Sequence, residues 1–360
     1  MFDRHNTKQI KVGKINIGHS DDVIIQSMCN TKTYDTTNTI KQINELEKVG
    51  CQLVRVSVPD VKSAESIETI KNNINIPLVA DIHYDYKLAL MCIDRGIDKI
   101  RINPGNIGDE YKIKTLVDAC KSKNIPIRIG VNSGSLNKKI LEKFDGKVTA
   151  KGLFLSAKEN IELLEKYNFY DTIVSIKSSN VLMMVEAYKM FADTYNYPLH
   201  LGVTEAGTLL SGSIKSSVGL GILLNYGLGD TIRVSLSANP IEEIVVAKKI
   251  LRSLNLYNNG FEVISCPTCA RTKIDIIKIT KEVEKSLDYL DSDRLIKVAI
   301  MGCAVNGPGE AIEADIGIAG GDGEALLFKK GKIIKKIDEN NIVDILLDNI
   351  NEILKEDLYE

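Results

Sequence analysis

The sequence predicts an α/β protein, a (β/α)8 TIM barrel followed by a smaller α+β domain. Three observations predict it. Eight short β-rich runs alternate with helical periods between residue 23 and about residue 255. That rhythm stops near residue 256. With 360 residues, 44% of them hydrophobic, the chain can bury one large core and one small one. Strand and helix alternating eight times imply parallel βα units, and closing eight of them gives a barrel. A doubly wound open sheet is the competing arrangement. The expected bounds are 1–255 for the barrel and 256–360 for the second domain.

The strands read, in order, as "VIIQS" (23–27), "LVRVSV" (53–58), "LVADIH" (78–83), "KIRIN" (99–103), "PIRIGVN" (126–132), "TIVSIK" (172–177), "LHLGVT" (199–204) and "TIRVSL" (231–236). Helical periods lie between them. Ile40, Ile43, Leu46 and Val49 recur at spacing three before Gly50, and Val61, Ala64, Ile67 and Ile70 follow a capping Asp60. Ser156 with Glu159 makes an S-x-x-E capping box, which predicts a helix start at 156. Residues 133–152 make a long polar connection, a lid or an insertion. Beyond 256, "FEVISC", a helix from Thr272 to Leu290, "IKVAIMGC", "ADIGIAG", a hairpin around "LLFKKGKII" and a closing helix fit a compact α+β domain.

Composition excludes several classes. A formal net charge of -2 gives no whole-molecule attraction to nucleic acid or to a membrane surface. "MFDRHNTKQI" is no signal segment, and no run of about 18 apolar residues occurs, so a cytoplasmic protein without membrane or nucleic-acid partners is expected. Seven cysteines, two of them in C-x-x-C, point to metal or redox chemistry before disulfides.

The strands themselves are unusual. Side chains alternate faces along a strand, so Val54, Val56 and Val58 share one face of "VRVSV" while Arg55 and Ser57 share the other. The same parity groups Arg101 with Asn103, Arg128 with Asn132, Ser175 with Lys177, Arg233 with Ser235, Asp81 with His83, and His200 with Thr204. If the apolar face meets the helices, this polar face lines the barrel, where an ordinary core is Val, Ile and Leu. Each cation could pair with an acid across the barrel. Five of them face only Asp81 and Glu205 as placeable carboxylates, and two like charges about 8 Å apart repel by roughly 2 kcal/mol at an effective dielectric of about 20. An anionic ligand with several charges is implied, and phosphate or diphosphate suits the guanidinium fork. "SGSIKSSVGLG" adds Ser211, Ser213, Lys215 and Ser216 at an expected helix start, where free N–H groups favour phosphate. "GLGILL" lacks the third glycine and the preceding strand of a dinucleotide loop.

The second domain holds "SCPTCAR", with Cys266 and Cys269, and "GCAVNGPGEA", with Cys303. A third cysteine in a Gly/Pro-rich loop lets the backbone fold closely around a metal centre. All four histidines, His5, His19, His83 and His200, lie in the barrel, which argues against an in-domain Cys3His zinc site. An iron-sulfur cluster with a non-cysteine fourth ligand is the alternative, and Glu310 is within reach of it.

Taken together, "IQSMCNT", "LVRVSVP", "PLVADIHYDY", "RINPGNIG", "IPIRIGVNSGSL", "HLGVTEAG", "IKSSVGLGILL", "TIRVSLSANP", "CPTCAR" and "GCAVNGPGEA" resemble the bacterial 4-hydroxy-3-methylbut-2-enyl diphosphate synthase family of the methylerythritol phosphate pathway to isoprenoids. The resemblance covers nearly the whole chain. It implies a barrel joined to a 4Fe-4S domain, with ligands at Cys266, Cys269, Cys303 and Glu310. The reaction it implies is reductive ring opening of 2-C-methyl-D-erythritol 2,4-cyclodiphosphate with electrons from flavodoxin or ferredoxin. It also implies a head-to-tail homodimer. In this reading Arg55, Arg101, Arg128, Lys177 and Arg233 grip the phosphoryl groups, and Asn103, Asn132 and Ser235 complete the donors. Glu205 is the candidate acid/base or else an ion-pair partner, Asp81 and His83 are possible relays, and Glu310 releases an iron to substrate. Cys29 replaces a threonine-like residue as a neutral change, and Cys51, Cys92 and Cys120 pack in the core. A non-redox barrel transferase or aldolase with a structural metal, and an iron-sulfur sensor, are the other two readings.

Overall fold

The computed structural model describes residues 2–103, 107–287, 290, 292–304 and 311–357. Its first strands, β1 (Ile10–Val12) and β2 (Ile15–Ile17), form an antiparallel hairpin that the sequence reading missed. Eight strands follow: β3 (Ile24–Met28), β4 (Leu53–Ser57), β5 (Leu78–Asp81), β6 (Lys99–Ile102), β7 (Ile127–Asn132), β8 (Thr172–Lys177), β9 (His200–Leu201) and β10 (Thr231–Ile232). All pair in parallel in the order β8-β7-β6-β5-β4-β3-β10-β9, and a single bridge, Val174 to Leu199, joins the two ends. This is the expected eight-stranded barrel, not an open sheet.

The helices start where short polar side chains can accept from free backbone N–H groups. Asp35 accepts from Asn38, Asp60 from Ser63, Asp109 from Lys112 and Asn180 from Met183. The capping box at Ser156 is not one of them. Helix Ala150–Lys166 begins six residues earlier, capped by Thr149 accepting from Gly152, and Ser156 lies buried inside it. Segment 133–152 is folded as well. It holds a 3-10 turn at Ser133–Ser135 and a short helix at Lys138–Glu142, and its Leu136 and Ile140 are buried.

Outward-facing Val54, Val56, Ile100, Ile102, Ile127 and Ile129 join the helices in one apolar core, which also takes in Cys29, Cys51, Cys92 and Cys120. Burial pushes the Cys29 thiol up to about 12, which leaves it unreactive. Inward-facing Ile24, Leu53, Val79 and Ile173 form a separate cluster with Ile10, Val12 and Ile17. The hairpin therefore plugs the barrel at the ends where its strands begin.

The chain divides into two units, Met1–Tyr257 and Asn258–Glu360. The second carries β11 (Gly260–Ser265), β12 (Leu295–Met301), β13 (Ile316–Gly320), β14 (Glu324–Lys329) and β15 (Lys332–Asp338), hydrogen-bonded in that order. The first three run parallel and the last two antiparallel. Lys330 and Gly331, both with positive φ, make the two-residue turn between β14 and β15. Helices Ile276–Leu287 and Ile342–Asp357 bury their apolar stripes in this unit's core, beside Val298, Ile300, Ile316 and Ile318. The helix expected over 272–290 is thus shorter at both ends.

Candidate active site

Strand parity aims the polar side chains inward at the ends where the barrel strands finish. There Arg55, Asp81, His83, Arg101, Arg128, Asn132, Ser175, Lys177, Thr204, Arg233 and Ser235 line a cavity of about 160 Å³. The parallel register sets Asp81 beside Arg101 and Arg101 beside Arg128. Asp81 is the hub of one wall. Its carboxylate accepts from Arg101 Nη1 at 2.9 Å and lies 3.8 Å from Arg55 Nε and 3.5 Å from His83 Nε2. Burial alone would raise this carboxyl, but Arg55, His83 and Arg101 overcome it and hold it well below the usual carboxylate range. Burial brings Arg55 down to about 10, with Asp81 opposing. With its amide turned to satisfy both neighbours, Asn132 accepts from Arg101 Nη2 and donates to the Val131 carbonyl, each at 3.2 Å.

A second carboxylate, Glu243, was not anticipated. It is buried on helix Pro240–Arg252 and accepts from Arg233 Nε at 3.2 Å and Nη2 at 3.1 Å, from Ser27 and from the Leu236 N–H. Met28, also overlooked, places its sulfur between Arg55 Nη2 at 2.8 Å and Arg233 Nη1 at 3.4 Å. Glu205 is not the counter-ion. It stands exposed after β9 with φ 52°, and no ion pair involves it among the described residues.

Among the described residues, the opposite wall has cations without acids. Arg128 is buried, with Nε and Nη1 unpartnered. Burial, together with Arg128, Arg233, Arg55 and Arg101, pushes the Lys177 ammonium well below its ordinary value. Lys99, on the same face as Arg101, is fully buried below the cavity without a partner, and parity alone could have found it. His200 also lies below the cavity, its Nδ1 2.7 Å from Thr231 Oγ1, because it sits deeper on its strand than Thr204. Burial, then Arg128, Lys177 and Lys99, lower its pKa well below the ordinary histidine value. Asn103 is buried beside the end of β6 and is not among the lining residues.

Two expected donors lie elsewhere. Helix Leu209–Asn225 starts before Ser213, so the free N–H groups belong to residues 208–211, and the Gly212 N–H already donates to the Thr208 carbonyl at 2.7 Å. Ser213 donates to the Leu209 carbonyl and lines an outer groove with Val246 and Ile250, and Lys215 is half-buried in the second turn.

In the second unit, Cys266 follows β11 and Cys303 lies two residues beyond β12, its parallel neighbour. The Gly302 N–H donates to Cys266 Sγ at 3.2 Å, and the Lys273 N–H to the Gly302 carbonyl at 2.8 Å. The strands and the chain after C-x-x-C thereby bring both cysteine loops together. Hydrogen bonds from Arg271, backbone first, lower the Cys269 thiol, which favours the thiolate a metal needs. Glu310 lies outside the described residues. Among those that are described, no three ligand side chains converge as a metal site.

The chain is similar to known proteins over both of its units. The GcpE TIM-barrel domain matches residues 7–248, and the GcpE protein C-terminal domain matches residues 262–352. A Fusobacterium nucleatum protein named 4-hydroxy-3-methylbut-2-en-1-yl diphosphate synthase (flavodoxin) is 56% identical over 353 residues, 98% of each chain. One of the same name from Caldanaerobacter subterraneus is 55% identical over 354 residues, 98% of this chain and 99% of that one. Among solved structures, dihydropteroate synthase from Stenotrophomonas maltophilia superposes with a TM-score of 0.51 at 12% identity, over 69% of this chain and 98% of that one, which speaks for the barrel fold alone. Both family domains, in order and over most of the length, establish that the chain belongs to the GcpE family.

Proposed function

We propose that this chain catalyses the reductive ring opening and dehydration of 2-C-methyl-D-erythritol 2,4-cyclodiphosphate to 4-hydroxy-3-methylbut-2-enyl diphosphate. Two electrons and one proton enter, the ring bond from carbon to phosphoryl oxygen breaks, and a hydroxyl leaves as water. Flavodoxin, the donor named in the relatives, or ferredoxin supplies the electrons one at a time. The observation that carries the reading is the pocket's charge. Arg55, Arg101, Arg128, Lys177 and Arg233 face it, while among the described residues only Asp81 and Glu243 answer them. A cyclic diphosphate supplies the missing negative charge, and Asn132, Ser175, Thr204 and Ser235 offer neutral hydrogen bonds around it.

In the second unit the donor set fits a 4Fe-4S cluster, because two cysteine loops meet and a backbone N–H already points at one sulfur. Cys266, Cys269, Cys303 and Glu310 would hold it, and it would supply the reducing electrons. Asp81 keeps Arg55 and Arg101 extended toward the ligand, and Glu243 does the same for Arg233. Glu205, exposed beyond β9, is the candidate proton donor to the departing hydroxyl, with His83 and Asp81 as relay.

No helix among the described residues is long and apolar enough to cross a membrane, and a cytoplasmic reaction is proposed. A homodimer is proposed as well. Leu210, Ile214 and Val218, 74%, 60% and 50% exposed, run at spacing four along helix Leu209–Asn225, an apolar stripe that a second copy could cover.

Anaerobic reconstitution with iron and sulfide, then assay with the cyclodiphosphate and a one-electron reductant, tests the proposal. Cys303→Ser should lose visible absorption and turnover together while its far-ultraviolet dichroism stays unchanged. Turnover retained in that variant defeats the assignment.

A further inference from the structure

The barrel closes between β8 and β9, and it closes differently from its other seams. At the strand beginnings the ladder is ordinary, with the Val174 N–H donating to the Pro198 carbonyl at 2.9 Å. Two residues further along each strand, a regular parallel ladder would join the Ile176 N–H to the His200 carbonyl. It does not. The hydroxyl of Tyr188, a buried residue on helix Val181–Ala192, takes that place, accepting from the Ile176 N–H at 2.9 Å and donating to the His200 carbonyl at 2.7 Å. One inter-strand hydrogen bond becomes two with an oxygen between them, so the strands part here without leaving a backbone group unpaired.

The register of the Val174–Leu199 bridge sets Lys177 level with Gly202, two residues beyond His200 on the neighbouring strand. A Cβ on Gly202 would stand 2.6 Å from Lys177 Nζ and 2.6 Å from the Arg233 carbonyl oxygen. The lysine side chain therefore runs across the strand where a side chain is missing. No carboxylate among the described residues pairs with Lys177, and its neighbours repel it, so packing alone sets its direction. The same arrangement occurs once more around the barrel. Arg101 of β6 lies over Gly130 of β7, where a Cβ would meet Nε at 2.4 Å, but this arginine also has Asp81 to hold it.

We propose that Tyr188 and Gly202 are positioning residues for Lys177, the hydroxyl parting the seam and the glycine leaving the path by which the ammonium reaches the pocket. This rests on the reading of Lys177 as a cation that binds the substrate's phosphoryl groups. Neither residue touches the ligand. Their effect passes through the lysine, so it disappears when the lysine is gone.

A double-mutant cycle reads that dependence. Tyr188→Phe, Lys177→Met and the double variant are compared by calorimetric titration with inorganic pyrophosphate, by KM and kcat on the cyclodiphosphate, and by thermal unfolding. Tyr188→Phe should weaken pyrophosphate binding about tenfold in the parent protein and less than about twofold in the Lys177→Met background. Its loss of thermal stability should be the same in both. Gly202→Ala should repeat the pattern if it folds. The cycle on Tyr188 stands without it. Equal weakening in both backgrounds would mean a purely structural hydroxyl and overturn the proposal. Unchanged pyrophosphate binding in Lys177→Met would overturn the reading of the pocket itself, and the proposal with it.

Discussion

The two walls of the pocket hold their cations by opposite means. On β4 and β6 and just past β10, Arg55, Arg101 and Arg233 are ion-paired to Asp81 or Glu243 and further tied to Asn132 and Met28. On β7 and β8, Arg128 and Lys177 have no acid among the described residues, and they are kept in place by burial, by a backbone glycine and by a parted seam. Both arrangements put charge into the pocket, but among the described residues only the second leaves it uncompensated. The paired wall is a scaffold that is satisfied before substrate arrives. The unpaired wall is unfavourable alone, each like-charge contact at about 8 Å costing roughly 2 kcal/mol, and in the proposed function it becomes favourable when phosphoryl oxygens enter.

The largest effect should come from breaking the scaffold. Asp81→Asn strands two guanidinium groups that share one buried carboxylate, and removing one partner of a buried pair typically costs about 3–5 kcal/mol. Urea unfolding of the ligand-free protein should show a loss of that size. A loss under about 1 kcal/mol would mean that the two walls do not differ.

The unpaired wall should answer in the opposite direction. Arg128→Met removes a buried charge with two unpartnered nitrogens and keeps most of the volume. The ligand-free variant should be as stable as the parent or more stable by about 1–2 kcal/mol, while pyrophosphate affinity falls at least about tenfold. Lower stability together with unchanged affinity would make Arg128 a structural residue and remove the contrast.

Much of this contrast was legible in the sequence, for a geometrical reason. Alternation along a strand has a period of two, so one residue assigned to the barrel interior places all the others, and Arg55, Arg101, Arg128, Lys177 and Arg233 follow together. Lys99 obeys the same parity. What could not be read are partners brought from afar. Glu242 and Glu243 both look like ordinary first-turn acids, and only the stripe of Ile244, Ala247, Ile250 and Leu251 marks Glu243 as the inward one. Tyr188 fits an apolar helix face and shows nothing of its place in the seam. The pattern at Ser156 misled because S-x-x-E also arises by chance within a helix, whereas the true cap, Thr149, has glycine at the third position. Ser213 and Lys215 were misplaced for a related reason. An error of a few residues at a helix start moves side chains from the ligand to the outer surface.

The smallest effect tests the floor beneath the unpaired wall. His200 is buried against Thr231, and burial with Arg128, Lys177 and Lys99 keeps it neutral in the folded protein. Unfolded, it titrates near the ordinary value of about 6.5. Its contribution is therefore complete above that pH and declines as pH falls below it, because only the unfolded chain gains the proton there. From pH 8 to pH 6 the loss should be about 0.8 kcal/mol. Asp230 works the other way. Burial raises it to about 6, so the folded state takes up its proton first and is favoured as pH drops further. Comparing the parent with His200→Gln cancels Asp230 and isolates the histidine. The parent should lose stability relative to the variant across that interval, by chemical denaturation at each pH. Parallel curves would mean that His200 takes up its proton as readily in the folded protein as in the unfolded chain, and that burial beside the cations does not hold it neutral.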